Sequence, residues 1–250
     1  MMNTTTVFRA LRALGGALLD FAVPPHCSLC KAPLEEHERV VCEGCWSKVQ
    51  VITGSHCAAC GSPSDESVPA CTHCENRTPH FDRARILSPY DETIQGLIHQ
   101  LKYRGKRSIG RRLGAMLGAL IASDGGSGDL DMIVPVPLHP SRQKERGYNQ
   151  SALVAHAMEP RLGVRVRTDL MARTRRTATQ TKLNAAERAK NVAGAFEVRH
   201  PESVRGREIL LVDDVLTTGA TVDACTQALL NAGARRVCLA ALAHPFSEAR

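Results

Sequence analysis

The chain has 250 residues, with 43% hydrophobic and 23% charged side chains, a composition typical of a globular protein with room for one large domain and a small one. Its formal net charge of +7 favours a polyanionic partner, and phosphate metabolites and nucleic acids satisfy that requirement equally. Basic residues are concentrated in two segments: 102–112 has six Lys and Arg and no acid, and 165–190 has eight against two acids. No apolar stretch reaches the ~20 residues of a membrane span.

Residues 1–25 predict an amphipathic helix that closes at a pair of prolines. Its apolar positions share one helical face: Val7, Leu11, Leu14 and Leu18. Two glycines and an aspartate interrupt the apolar run, and no small-x-small cleavage site follows it. We therefore interpret this segment as a packing helix and not as an export signal.

Residues 26–80 form a cysteine zone that is poor in aliphatic periodicity and rich in turn residues. Eight of the ten cysteines lie here, in four Cys-x-x-Cys pairs. The pairs are Cys27 with Cys30, Cys42 with Cys45, Cys57 with Cys60, and Cys71 with Cys74. Eight thiolates at this spacing match two tetrahedral zinc sites of four cysteines each, so we predict a small, double zinc-ribbon-like domain in which the metal is structural.

The pairing of these cysteines has several alternatives. The simplest is sequential, with the first four on one zinc and the last four on another. An interleaved pairing, a single zinc and an iron–sulfur cluster are the other interpretations. Because the cysteines are grouped for a metal and not spread as a disulfide framework, we expect a reducing compartment, the cytoplasm.

From residue 81 to 250 the hydrophobic pattern alternates between strands and helices, which is typical of a Rossmann-like α/β domain with a largely parallel sheet. The predicted strands are 85–87, 132–137, 208–212 and 237–241. The predicted helices are 94–101, 113–121, 151–158 and 221–232, and 124–128 is predicted to be a surface loop. In such a sheet, ligands gather at the carboxyl ends of the strands.

A phosphate-binding turn is predicted after the third of these strands. Its apolar run ends at Asp213 and Asp214, and a turn with a glycine then leads into a helix. The turn consists of Thr217, Thr218, Gly219, Ala220 and Thr221. A glycine turn at a helix N-terminus offers free backbone N–H groups and a positive dipole end to an anion, and the threonines add hydroxyl donors.

The two acids before the turn would repel a bare phosphate and therefore need another role. Adjacent carboxylates suit the vicinal hydroxyls of a ribose, with Mg²⁺ nearby. A ribose that carries a 5′-phosphate satisfies both halves of the motif. The alternative is an acidic turn with helix-capping threonines, but capping requires only one such residue. A Walker P-loop is excluded because the Gly-Lys-Ser/Thr ending is missing.

The ten residues 212–221 (VDDVLTTGAT) resemble the signature with which type I phosphoribosyltransferases bind phosphoribosyl diphosphate (PRPP). Further segments narrow the resemblance to the ComF family, whose members are linked to DNA uptake in competent bacteria. These segments are 101–105 (LKYRG), 134–140 (VPVPLHP), 146–150 (RGYNQ) and 191–196 (NVAGAF). The resemblance covers nearly the whole chain, and it implies the parallel sheet of the type I phosphoribosyltransferases over residues 81–250.

The resemblance also implies roles for several basic residues. The loop after the strand at 134–137 approaches the pyrophosphate, which makes Arg142 and Arg146 candidate ligands, since guanidinium groups bind phosphate in bidentate fashion. The polar segment 173–183 resembles the loop that closes over bound PRPP, where Arg173, Arg176 and Lys182 would neutralise the departing charge. For Lys102 the resemblance implies a phosphate contact, whereas its place at a helix C-terminus is also favoured by the helix dipole alone.

Three functions fit these features. The first is a Mg²⁺-dependent enzyme that transfers the phosphoribosyl group to an unidentified nitrogen acceptor, with Asp213, Asp214 and Arg176 as its catalytic residues. The second is a non-catalytic protein that senses PRPP and serves DNA uptake through competence proteins. The third is direct binding of single-stranded DNA along the basic segments, which would weaken steeply with salt.

Overall fold

The computed structural model of this protein describes most of the chain. The described residues are 25–36, 38–64, 66, 68, 70–71, 74–75, 79–126, 128–175 and 191–246. The chain divides into two compact units, residues 1–49 and 50–250. Residues 1–24, where the sequence predicts an amphipathic helix, lie outside the described part, and so do Arg176 and Lys182.

In the first unit, tight turns around two Cys-x-x-Cys pairs organise the chain. His26 and Pro33 form an antiparallel bridge that closes the loop over the first pair. The short helix α1 (Glu43–Trp46) begins directly after Cys42. Its apolar core is small, since Val41 and Val49 are the buried aliphatic side chains among the described residues of this unit. A unit with so few aliphatic contacts depends on its cysteines for stability.

The second unit contains a parallel sheet and a small antiparallel pair. Its strands are β1 (Ala84–Pro89), β2 (Met132–Pro135), β3 (Met171–Arg173), β4 (Phe196–Val198), β5 (Glu208–Val215) and β6 (Arg236–His244). Its helices are α2 (Glu92–Tyr103), α3 (Arg107–Ser123), α4 (Pro140–Arg146), α5 (Gln150–Leu162), α6 (Pro201–Val204) and α7 (Ala220–Asn231). The order in the main sheet is β1-β6-β5-β2, and every neighbouring pair is parallel.

Helices cover both faces of this sheet. On one face, Cys225 and Leu229 of α7 pack in a core cluster with Leu211 and Leu239 of the two central strands. On the other face, α3 contacts β1 and β6, whereas α5 contacts β2 and β5. The first five residues of β5 are all buried. Because successive side chains of a strand point to opposite faces, they pack against the helices on both sides of the sheet. The predicted α/β fold with a parallel sheet is confirmed.

The structure differs from the sequence prediction in several places near the carboxyl ends of the strands. Strand β2 ends at Pro135 and not at residue 137, and β1 continues to Pro89 and does not end at residue 87. Residues 140–146 form the helix α4 and not a loop, because His139 caps its N-terminus and Gly147 ends it at a φ of 77°. Strand β5 continues to Val215, so both acids lie within it. Arg173 ends β3, which pairs with β4 in antiparallel register and was too short to show a strand pattern.

No helix in the described part of the chain is long and apolar enough to span a bilayer.

A stripe of glycines lets α3 lie unusually close to α5. A Cβ atom on Gly114 would lie 2.4 Å from the carbonyl oxygen of Val154, and one on Gly118 would lie 3.0 Å from the Cα atom of Met158. These positions are therefore occupied by glycine because no side chain fits between the two helix backbones. The close contact fixes α5, whose first turn contributes to the site described below.

We predict that Gly114→Ala destabilises the protein. Alanine favours a helix over glycine by about 1 kcal/mol, but overpacking against a neighbouring backbone costs about 1–3 kcal/mol. The net loss should appear as a lower denaturant midpoint in chemical unfolding. Gly128→Ala is the matched control, because a Cβ atom there meets nothing within 4 Å. Equal stability of both variants would show that the α3–α5 contact is looser than described.

Candidate functional site

A cavity of about 650 Å³ lies at the carboxyl ends of the parallel strands. In register, Pro135 of β2 lies opposite Val212 of β5, so the residues that follow both strands emerge side by side. The cavity is lined by the segments after β1, β2 and β5 and by side chains of α2 and α4. The volume of the cavity is in the range of small-molecule sites. Its position is the one where open α/β sheets bind ligands, at the carboxyl ends of the strands.

An acid pair lies at the floor of this cavity. Asp214 is buried, and one of its carboxylate oxygens lies 2.7 Å from the ammonium group of Lys102. The other oxygen, Oδ2, is buried without a hydrogen-bond partner among the described residues. Asp213 accepts hydrogen bonds from Ser151 Oγ at 3.0 Å and from the backbone N–H of Asp214 at 2.8 Å. Both acids line the cavity, so its floor suits a ligand with hydroxyl or cationic groups.

The charges of the pair are set by their burial and by each other. Removal from water and the neighbouring Asp214 carboxylate raise the pKa of Asp213 to about 7, although the ammonium of Lys102 and two hydrogen bonds act to lower it. Burial alone would lower the pKa of Lys102, but the charge and hydrogen bond of Asp214, together with the charges of Asp213 and Tyr103, raise that pKa overall. Lys102 therefore stays protonated, and one positive charge faces two carboxyl groups.

The predicted phosphate-binding turn joins this floor to α7. Gly219 caps the helix with a φ of 80°, a left-handed conformation that any other residue would adopt only with strain. Thr217, Gly219 and Thr221 line the cavity, whereas Thr218 and Ala220 belong to the turn without lining it. The first backbone N–H groups of a twelve-residue helix thus lie beside the acid pair. This is the geometry in which helix N-termini bind anions.

Three arginines also line the cavity. Arg142 and Arg146 lie on α4, and Arg173 lies at the end of β3. Arg146 donates to the buried amide of Gln150, and its guanidinium lies 5.7 Å from the centre of the Tyr103 ring. Burial lowers the pKa of Arg173, so an anion bound beside it would relieve the cost of its desolvation.

Sequence reasoning missed two groups of residues at this cavity. Ser151 is fully buried and orients Asp213, but a serine in the first turn of a helix has no signal beyond capping. Gln95 and His99 of α2 also line the cavity, beside Tyr103, which belongs to the segment 101–105 named above. Their four-residue spacing marks them as one polar face of the helix, but the sequence does not say which face meets the site.

The eight cysteines of the cysteine zone form two clusters, one from the first four cysteines along the chain and one from the last four. The clusters are Cys27, Cys30, Cys42 and Cys45 in the first unit, and Cys57, Cys60, Cys71 and Cys74 in the second. Within each cluster the sulfur atoms lie within 4.8 Å of one another, as four ligands of one tetrahedral ion require. The sequential pairing is confirmed, and both sites fit structural zinc.

Backbone N–H groups prepare the sulfur atoms for a cation. Cys42 donates its N–H to Cys27 Sγ at 3.4 Å, and Cys71 donates to Cys57 Sγ at 3.1 Å. Burial would raise the pKa of Cys27, but donation from the backbone of Cys42, Cys30 and Leu29 lowers it to about 6. The favoured thiolate is the form that binds zinc.

The two ribbons repeat one backbone design. The bridge of His26 with Pro33 recurs as His56 with Pro63, thirty residues later. The residue after each first Cys-x-x-Cys pair is left-handed, with a φ of 66° at Lys31 and 73° at Gly61. At Gly61 a Cβ atom would also lie 2.5 Å from Ile86 Cγ1, which explains why only this copy requires glycine for space.

The chain matches two family models and several curated proteins. A double zinc ribbon domain matches residues 18–75, and a phosphoribosyl transferase domain matches residues 149–249. The DNA utilization protein YhgH of Escherichia coli K12 is 35% identical over 218 residues, which cover 86% of this chain and 95% of that protein. The chain belongs to the ComF family.

Two further members carry the word competence in their names. Competence protein F of Haemophilus influenzae is 29% identical over 84% of this chain and 93% of its own length. Competence protein ComFC of Bacillus subtilis is 29% identical over 77% of this chain and 79% of its own length. This chain thus joins a double zinc ribbon to a phosphoribosyltransferase-like domain, and the relatives named here carry DNA utilization or competence in their names.

We predict two zinc ions per chain, each held independently. Cys30→Ser should remove one ion and Cys60→Ser the other, because each cluster draws its four ligands from its own stretch of chain. Native mass spectrometry of the purified variants counts the ions. Cys225→Ala, which removes a buried thiol outside both clusters, should retain two. Loss of both ions from either serine variant would contradict independent sites.

The raised pKa of Asp213 predicts a pH-dependent cost to stability. The folded state holds the proton of Asp213 more tightly than the unfolded state does. The protonated carboxyl group therefore favours the folded state at low pH, and this contribution to the free energy of unfolding is lost as the pH rises towards about 7. Asp213→Asn keeps an acceptor oxygen for Ser151 but cannot ionise. In chemical unfolding, the variant should gain stability over the parent between about pH 5.5 and pH 7. A difference that stays constant or shrinks over this range would contradict the raised pKa.

Proposed function

We propose that this ComF-family protein is a phosphoribosyltransferase that binds PRPP with Mg²⁺ and transfers its phosphoribosyl group to a nitrogen acceptor. One observation carries the proposal: the carboxyl groups of Asp213 and Asp214 lie in one cavity with an anion-binding helix N-terminus and with the cations of α4. A ligand that satisfies all three must present hydroxyls, a terminal phosphate and a second anionic group. PRPP has this combination, and a mononucleotide or a bare phosphate lacks one part of it.

The acid pair and the turn would hold the ribose 5-phosphate half of PRPP. The 5′-phosphate lies at the N-terminus of α7, where Thr217 and Thr221 add hydroxyl donors to the backbone N–H groups. The vicinal ribose hydroxyls donate to the carboxyl groups of Asp213 and Asp214, both of which line the cavity. Lys102 offsets the charge of the acids and keeps them from repelling the phosphate.

The pyrophosphate half would lie against the cations of the cavity. Arg142, Arg146 and Arg173 supply planar donors that match phosphate oxygens. Carboxylate and diphosphate oxygens are the ligands that Mg²⁺ prefers, and the ion supplies charge neutralisation when it is bound. Arg176, outside the described residues, remains a proposed contributor from the segment that follows β3.

In the transfer, the acceptor nitrogen forms a bond to C1 of the ribose while the bond from C1 to the pyrophosphate oxygen breaks. The electron pair of that bond leaves with the pyrophosphate, whose growing charge the three arginines stabilise. The nitrogen gives its proton to water. Orientation of the ribose by the acid pair and of the leaving group by α4 places both ends of the reacting bond.

The names of the relatives favour a second candidate, in which the same cavity binds PRPP without transfer and the protein acts in DNA handling. Arg104, Lys106 and Arg107 are exposed at the start of the basic segment 102–112, where a polyanion or another competence protein would bind. A cytoplasmic location would suit both candidates. Release of pyrophosphate from PRPP in the presence of an acceptor separates the two.

We predict that Mg²⁺ and PRPP bind the purified protein and that Asp214→Asn weakens the binding. Loss of a charged acceptor for the ribose hydroxyls, together with loss of the ion pair with Lys102, should cost about ten- to a hundredfold in Kd. Isothermal titration calorimetry measures both proteins. Glu202→Gln is the control, because its side chain is 73% exposed and does not line the cavity. Absence of PRPP binding by folded, zinc-loaded parent protein would reject the proposal.

A further inference from the structure

The second zinc ribbon, residues 57–74, is attached to the edge of the parallel sheet. Strand β1 is the outer strand in the order β1-β6-β5-β2, so one side of its backbone has no partner among the strands of this sheet. Ile52, just before the ribbon, donates its backbone N–H to the carbonyl of Leu87 at 2.8 Å. Ala58, inside the ribbon, accepts from the N–H of Ala84 at 2.7 Å. The ribbon thus covers a strand edge that would otherwise be open to pairing with other chains.

Side-chain packing brings the metal ligands close to the same strand. Gly61 directly follows Cys60, and a Cβ atom on Gly61 would lie 3.2 Å from the backbone nitrogen of Ile86. Ile86 is fully buried and belongs to the core cluster of the sheet, as does Ile52. One ligand of the second cluster is therefore a single residue away from a close contact with β1. A shift of this knuckle disturbs the strand, because tightly packed interiors transmit displacement.

The segment that leaves the second ribbon contacts helix α7. His80, six residues after Cys74, donates its backbone N–H to Oδ1 of Asp223 at 2.7 Å, and its ring Nδ1 lies 2.7 Å from Oδ2. Asp223 is in the first turn of α7 but does not line the cavity. Both side chains are partly exposed, and a contact of this kind adds little to global stability. Its effect is to fix the first turn of α7 relative to the ribbon.

The two cysteine clusters differ in what they are attached to. The first cluster lies in the compact unit of residues 1–49, whereas the second shares the unit of residues 50–250 with the sheet and α7. All the contacts described above are made inside this second unit. The clusters have the same four ligands, but the second is built into the domain that carries the cavity.

We propose that the second zinc ribbon is a metal-dependent clamp on the phosphate-binding end of α7. The occupied cluster holds the ribbon against β1, and His80 is the positioning residue that carries this constraint to Asp223. The inference rests on the proposed function and adds a way in which that same site is regulated. Loss of the second zinc ion loosens the first turn of α7 and weakens phosphate binding there, whereas loss of the first ion does not.

Hydrogen–deuterium exchange of full-length protein, followed by NMR, tests the clamp without a ligand. In Cys60→Ser, the amides of Ile52, Ala84 and His80 should exchange roughly tenfold faster than in the zinc-loaded parent, because their acceptors are no longer held. Cys30→Ser makes the same chemical change in the first cluster and should leave these amides protected. Equal exchange in the two variants would overturn the proposal. Protection lost to the same extent throughout β5 would also contradict it, because the ribbon would then support the whole domain.

Two substitutions of Asp223 test the positioning role of His80. Asp223→Asn and Asp223→Leu remove the same negative charge, but asparagine keeps polar partners for both groups of His80 and leucine keeps neither. Calorimetry should give Asp223→Leu a Kd for PRPP with Mg²⁺ about fivefold above that of Asp223→Asn. Cys60→Ser should add little to Asp223→Leu, because both changes break one path. Equal Kd values for the two Asp223 variants, or fully additive effects, would overturn the role of His80.

The same calorimetry separates this inference from the proposed function. If PRPP binds the parent and binds Cys60→Ser and Asp223→Leu as tightly, the clamp is wrong and the PRPP site stands. If PRPP does not bind the folded, zinc-loaded parent, the transferase proposal fails and the regulation of its site fails with it.

Discussion

The ion pair of Lys102 with Asp214 is the interaction on which the cavity depends. Strand β5 carries two adjacent carboxyl groups to the floor of the cavity, where burial and the Asp214 carboxylate raise the pKa of Asp213 to about 7. The ammonium group of Lys102 lies 2.7 Å from Asp214 and compensates one of the two carboxylate charges. Lys102 is on α2, a helix outside the β2–β5 strand pair. The ion pair thereby ties α2 to the end of β5 and places one face of α2 at the cavity.

The remaining elements meet at the same edge of the sheet for related reasons. Helix α7 brings its N-terminus to the acids because Gly219 turns the chain sharply after β5. Helix α5 brings Ser151 to Asp213, and it lies close enough because glycines on α3 remove the side chains between the two helices. The cysteine clusters of the zinc ribbons have a separate role, because they stabilise segments with few aliphatic contacts.

Much of this arrangement was accessible from the sequence. The apolar run before Asp213 predicts the strand and the acids at its end, and the glycine turn that follows predicts the start of the next helix. The cysteine spacing predicts two metal sites. The helix α4 was missed because its seven residues have no buried position to give a hydrophobic period. Ser151, Gln95 and His99 were missed because their roles depend on tertiary contacts, which no local pattern encodes.

A crystal structure of the zinc-loaded protein with Mg²⁺ and PRPP tests the central claim most directly. The account predicts the 5′-phosphate at the N-terminus of α7, the ribose hydroxyls on Asp213 and Asp214, and the pyrophosphate against Arg142 and Arg146. A ribose bound away from the acid pair, with the ion pair of Lys102 and Asp214 and the floor of the cavity untouched, would contradict it.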